Sequence, residues 1–153
     1  GKSLKDIIIK MAEGGHKRAN AQYTFVGSYK NYPGVGYYKL YKFKLNWGDA
    51  WIQCKEDNAH LVVIDSDKEL EVVKKLQSDT RNKDWAYVGV HDLFLNTYYV
   101  TVLDQPFITS SYNWTRNEPT DSAAENCLQI APNGLLRDHN CNAAHPFICE
   151  YNS

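Results

Sequence analysis

Apolar positions recur at helical spacing in the first half of the chain and at strand spacing in the second. Leu4, Ile7, Ile8 and Met11 fall on one face of a short helix, which Ser3 and Asp6 open as a capping box and Gly14-Gly15 close. With Ile9 beside it, that stripe is too apolar to stay in water, so it either docks on the rest of the chain or pairs with another copy. Residues 16–36 mix Gly, Asn, Tyr and Pro without a period, which predicts an extended lead-in. The compact part then begins near Gly36, dividing the chain into 1–35 and 36–151. Residues 37–43 are aromatic-rich and strand-like, and Asn46 with Asp49 opens a helix carrying Ala50, Trp51 and Cys54 on its inner side. A short buried strand is expected over 61–64. Ser66 and Glu69 form a second capping box, with Leu70, Val73 and Leu76 as one apolar stripe on the helix that follows.

Past Lys83 no helical period is visible, and strands over 87–90 and 99–102 alternate with polar loops. Helices first and strands after predict an α+β fold rather than an alternating one. The length of 153 residues suits one domain. No apolar run approaches the ~20 residues of a membrane span. A net charge of −1 lacks the basic excess of a nucleic-acid binder. The four cysteines, at 54, 127, 141 and 149, include no CxxC pair, which favours disulfides over zinc and leaves three pairings open. Together with the sequon Asn113-Trp114-Thr115, they fit a glycoprotein that passed through an oxidising secretory route, its leader either removed or lying outside this sequence.

The order of short motifs then resembles a C-type lectin-like domain over roughly 36–151. Tyr38-Lys39-Leu40-Tyr41 opens the match, and Trp47, Ala50, Trp51 and Cys54 resemble its first-helix signature. Tyr87-Val88-Gly89-Val90 stands for Trp-Ile-Gly-Leu, Glu118-Pro119-Thr120 for Glu-Pro-Asn, and Leu136-Arg137-Asp138 for Trp-Asn-Asp. Glu125-Asn126-Cys127 and the closing Pro146-Phe147-Ile148-Cys149-Glu150 complete it. The stretches 91–94 and 99–102, with Leu135-Leu136, are most similar to the lipopolysaccharide-binding lectins of insect haemolymph. This resemblance implies two helices packed on short antiparallel sheets with a long loop region, and the disulfides Cys54 to Cys149 and Cys127 to Cys141.

It also implies a surface site in which Ca²⁺ bridges protein oxygens and sugar hydroxyls, since that ion takes six to eight hard oxygen ligands. The family's five side-chain ligands map to Glu118, Thr120, Glu125, Arg137 and Asp138. Glu118, Glu125 and Asp138 keep their carboxylates, whereas Thr120 offers only a hydroxyl and Arg137 carries a fixed positive charge with no lone pair. Three arrangements meet this chemistry: Arg137 forks between Glu118 and Glu125 in place of the ion, Arg137 points to solvent, or calcium binds weakly through the three carboxylates. An auxiliary calcium position maps to Asp92, Asn96, Asp121 and Glu125, residues that otherwise hydrogen-bond their own loop.

Catalysis is not expected. Asp138-His139 lacks a nucleophile partner, and Glu118 with Glu125 sits on an open surface rather than in a glycosidase cleft. Trp47, Trp85 and Trp114 are expected in the core, as are most of Tyr23, Tyr29, Tyr32, Tyr37 and Tyr38. The expected function is a secreted, non-enzymatic lectin of innate immunity that reads glycans or lipopolysaccharide through a degraded calcium and sugar site. The alternative is a lectin-like domain that has lost sugar binding and engages a protein receptor. Nucleic acid is not an expected partner; self-association through the N-terminal helix is a further possibility for this chain.

Overall fold

The computed structural model describes residues 28–95, 98–108, 112–114, 118–119 and 126–151. In chain order the elements are β1 (Lys30–Tyr32), β2 (Gly36–Leu45), α1 (Trp47–Glu56), β3 (His60–Leu61), α2 (Asp67–Asp79) and β4 (Ala86–His91). Then follow β5 (Val100–Thr101), β6 (Asn126–Ile130), β7 (Leu136–Asn140) and β8 (His145–Tyr151). The strands form one sheet along the path β1-β2-β8-β4-β6-β7, with β3 added to β8 and β5 to β4. Pairing is antiparallel apart from β4 with β8, which run parallel where Tyr87 meets Phe147.

Successive strand residues point to opposite faces, and this alternation sorts the core into two halves. On β8, Phe147 and Cys149 join Trp47, Ala50 and Cys54 of α1, while Ile148 joins Val73 and Leu76 of α2. Tyr87 and Val88 of β4 divide in the same way. The two helices therefore cover opposite faces of one sheet. Each begins as the sequence predicts: the Asn46 side chain accepts from the Asp49 amide (2.8 Å) and Ser66 Oγ from the Glu69 amide (3.1 Å), caps typically worth about 1 kcal/mol each. Cys54 is bonded to Cys149 and Cys127 to Cys141, the pairing that the resemblance implied.

Four expectations change, the first being that Trp85, expected in the core, is half-buried outside both core clusters. The sheet reaches back into the segment read as a lead-in, because β1 pairs with β2 from Tyr32↔Gly36 to Lys30↔Tyr38 and Tyr29, Tyr32 and Tyr38 are buried. A three-residue strand is too short to show a period. Trp51 lies outward, 37% exposed beneath Lys55, because the buried arc of α1 centres on Trp47, Ala50 and Cys54. Of the strand expected over 61–64, only Leu61 belongs to β3, although the Val62 amide still donates to Ile148 O of β8 (2.9 Å). The predicted N-terminal helix and Tyr23 lie outside the described residues.

Where β4 passes β3 the backbones nearly touch. A Cβ on Gly89 would sit 2.5 Å from the Leu61 carbonyl oxygen and 2.8 Å from Val102 Cγ2. Gly89→Ala is expected to destabilise the fold by about 3 kcal/mol, the upper end for overpacking, because the obstructing atom is backbone. Urea denaturation measures it; a loss under about 0.5 kcal/mol, the range of ordinary surface changes, would mean that the strands separate freely.

The face under α2 buries two carboxyl groups. Glu69 of α2 accepts from Tyr38 Oη (2.5 Å) and the Asp65 amide (3.0 Å), and Glu150 of β8 accepts from the Val63 amide (3.2 Å). Glu69 lies close enough to Glu150 for its charge to oppose ionisation there, so the pair favours holding a proton. Burial first, and the charge of Glu69 second, push Glu150 up to about 9.

Candidate functional site

β7 lies at one edge of the sheet, and its alternation governs the site. Leu136 and Asp138 turn to one face and are buried, while Arg137 and His139 turn to the other and are half-buried. Tyr99 Oη donates to Asp138 Oδ2 (3.0 Å) in a buried contact, and the Asp138 amide donates to Glu118 Oε2 (3.2 Å). One carboxylate is thus oriented by a tyrosine, and a second is fastened to the same strand. The Glu118–Pro119 peptide is cis. Just upstream, the Asn113 carbonyl accepts from the Leu136 amide (3.0 Å), which anchors this connection along β7.

Arg137 leaves this pair. Its Nε donates to Gln129 Oε1 (2.8 Å), and its guanidinium carbon lies 4.3 Å from the centre of the Trp85 ring, a stacking that suits a weakly hydrated planar cation. Burial lowers its pKa, and the nearby charge of Glu118 opposes that shift. His139 and His145 meet edge to face at 5.1 Å on the same side, both held below the ordinary histidine pKa chiefly by burial. Of the fork read from the sequence, the described half differs: Glu118 receives the Asp138 amide, while Arg137 is held by Gln129 and Trp85. Adjacent residues of a strand face opposite ways, so the Arg137 and Asp138 side chains diverge. Thr120 and Glu125 lie outside the described residues.

At the auxiliary position Asp92 is buried, and its two oxygens accept from the amide (2.9 Å) and the side chain (3.1 Å) of Asn126. Asn96, Asp121 and Glu125 lie outside the described residues. Among those described, no group of three or more acidic, histidine or cysteine side chains is arranged to hold a metal ion. Glu118 and Asp138, both already carrying hydrogen bonds, fall short of the six to eight oxygens that calcium takes, and Arg137 supplies none. The described donor set does not by itself fit that ion. Sequence reasoning missed Tyr99, Gln129 and Trp85 as holders of the site; the period-two pattern of 136–140 was the signal for the divergence.

Residues 43–151 match the family described as the lectin C-type domain. The chain belongs to the C-type lectin family. This lectin is 34% identical over 125 residues to the hemolymph lipopolysaccharide-binding protein of Periplaneta americana, covering 76% of this chain and 49% of that protein. It is 35% identical over 106 residues to the human CD209 antigen, covering 69% of this chain and 26% of that one. The lectin therefore spans half or less of these curated relatives. Its fold is similar to the carbohydrate-recognition domain of the mouse scavenger receptor C-type lectin, with a TM-score of 0.72 at 25% identity over 82% of this chain and 94% of that one. The fold also matches a calcium-independent type II antifreeze protein, with a TM-score of 0.69 at 18% identity over 81% of this chain and 91% of that one. These lectins are non-enzymatic binding proteins. No helix among the described residues is long and apolar enough to cross a membrane.

Proposed function

We propose that this lectin is an extracellular reader of microbial glycans, binding sugar hydroxyls through Glu118, with the buried Asp138 positioning it from behind, without a full calcium shell. The observation that carries this reading is the half-buried Glu118, whose Oε2 accepts the Asp138 amide while Tyr99 Oη aligns the Asp138 carboxylate beneath it. A carboxylate so fixed accepts hydrogen bonds from vicinal hydroxyls without first reorganising. Thr120 and Glu125 lie between Glu118 and Asp138 in sequence. The name of the Periplaneta americana relative, a hemolymph lipopolysaccharide-binding protein, supports lipopolysaccharide as the ligand class, and a role in immune recognition is part of the same proposal. Asn113 is exposed, as a glycosylated asparagine in a secreted protein must be.

A glycan array read in calcium and in chelator tests the proposal. Binding is expected to survive chelation, and Asp138→Asn, which keeps an acceptor for Tyr99, should weaken it at least tenfold. Binding that disappears in chelator would overturn the calcium-free reading. A blank array would favour the second reading, a protein partner, for which the observation is Arg137 turned away from the sugar-site carboxylates.

A further inference from the structure

Three segments surround a cavity of about 190 Å³ beside the connection that leads to Glu118: the turn into α2, residues 112–113, and the turn before β7 with that strand's first residue. They are fastened to one another around it. Tyr112 Oη donates to Ile64 O (2.5 Å), the Leu136 amide donates to Asn113 O (3.0 Å), and Gly134 packs against Leu70 and Lys74 of α2. The space is smaller than the roughly 300 Å³ at which sites for drug-sized ligands begin, so it has room for one ring rather than a chain of them.

Its lining changes character with depth. The buried Ile64 and Leu136 and the half-buried Leu70 and Tyr112 are largely apolar, whereas Asp65, Ser66 and Asp67 are exposed. Ser66 Oγ accepts from the Glu69 amide (3.1 Å), which leaves its own proton to donate, and the two carboxylates offer acceptors. An apolar base under such groups matches a sugar ring, with its C–H faces and hydroxyl edges, and the negative charge disfavours an anion. A cation would also suit the carboxylates, and Asn113 decides between the two. It is the attachment residue of the chain's single Asn-X-Ser/Thr sequon, it is exposed, and it lines this same cavity. A sugar linked to it is delivered to the cavity at high effective concentration, where weak contacts are enough to hold it.

We propose that Asn113 carries an N-linked glycan whose first N-acetylglucosamine occupies this cavity, its ring on Leu70 and Tyr112 and its polar edge toward Asp65, Ser66 and Asp67. The inference goes beyond the ligand reading above and does not depend on it, because the sugar here is the protein's own. So placed, it joins the start of α2 to the connection that leads to Glu118, alongside the hydrogen bond from Tyr112 to Ile64.

For the test, the full chain is secreted from eukaryotic cells and trimmed by an endoglycosidase to a single N-acetylglucosamine. It is compared with the same chain made in the bacterial periplasm, where disulfides form and no N-glycan is added. Mass spectrometry should find the sugar on Asn113. The untrimmed and one-sugar proteins are expected to melt together, roughly 2–4 °C above the sugar-free one. Nuclear Overhauser contacts should join the N-acetylglucosamine protons to the Leu70 methyls and the Tyr112 ring. Asp65→Ala combined with Asp67→Ala, made in both hosts, should narrow the gap between the one-sugar and sugar-free midpoints by at least half, whatever its own effect on stability. An unmodified Asn113, a one-sugar protein that melts with the sugar-free one, absent Overhauser contacts, or an unchanged gap in the double variant would each overturn the proposal. A midpoint that falls on trimming to one sugar would do so too, because outer sugars would then carry the contact.

Discussion

Replacing Cys54 and Cys149 together by alanine should lower the free energy of unfolding by about 4–5 kcal/mol, against about 3 kcal/mol for Cys127 and Cys141. The difference follows from the chain enclosed, since the two bridges join residues 95 and 14 apart. A crosslink acts mainly by restricting the unfolded chain, and the restriction grows with the logarithm of the loop. The long bridge also joins α1 to β8 inside the cluster under α1, so its removal leaves two small side chains among Trp47, Leu61 and Phe147. Small domains are commonly stable by only about 5–15 kcal/mol, so the first variant should unfold at markedly lower denaturant. Guanidinium titrations of both variants give the comparison. Equal losses would show that loop length does not set the contribution.

The second large effect is on the pH dependence of stability. Glu150 is pushed up to about 9 in the folded protein, chiefly by burial and then by the charge of Glu69, whereas an unfolded glutamate titrates near 4.3. Between those values the folded state holds a proton that the unfolded state releases. Stability is therefore highest below about pH 4 as far as this pair is concerned, falls as pH rises, and levels off above about 9. The slope is at most about 1.4 kcal/mol per pH unit. Above pH 7 the described histidines do not blur it, because burial lowers the pKa of His60, His91, His139 and His145. Glu150→Gln supplies a permanent hydrogen-bond donor to Glu69 and keeps an acceptor for the Val63 amide. Its unfolding free energy should stay flat from pH 7 to 9 while the wild type loses a few kcal/mol, about 1 or more per unit. A wild type as flat as the variant would mean that the pair carries no shared proton.

Most of the framework could be seen in the residues before any coordinates. Both capped helices lie where Asn46 and Ser66 open them, and the motif order placed both disulfides. What escaped was set by tertiary contact. Glu69 reads as half of a capping box, and nothing local shows that its carboxyl meets Glu150 across 81 positions of chain. Arg137 reads as a replacement for a metal when the motif is taken as a string of ligands. Taken as a strand, the same residues separate it from Asp138, and only the neighbours Gln129 and Trp85 show where its charge is held. Tyr99 is one of an aromatic pair whose partner, Tyr98, is half-exposed; which of the two reaches Asp138 depends on the path of the loop.

β1, β2 and β8 are neighbours, so the described chain enters and leaves the sheet along one border, whereas β7 and its carboxylates form the opposite border. Tyr37 stands directly across from Tyr151. A tether attached near residue 151 therefore lies across the sheet from β7 and from the Glu118 and Asp138 carboxylates held along it.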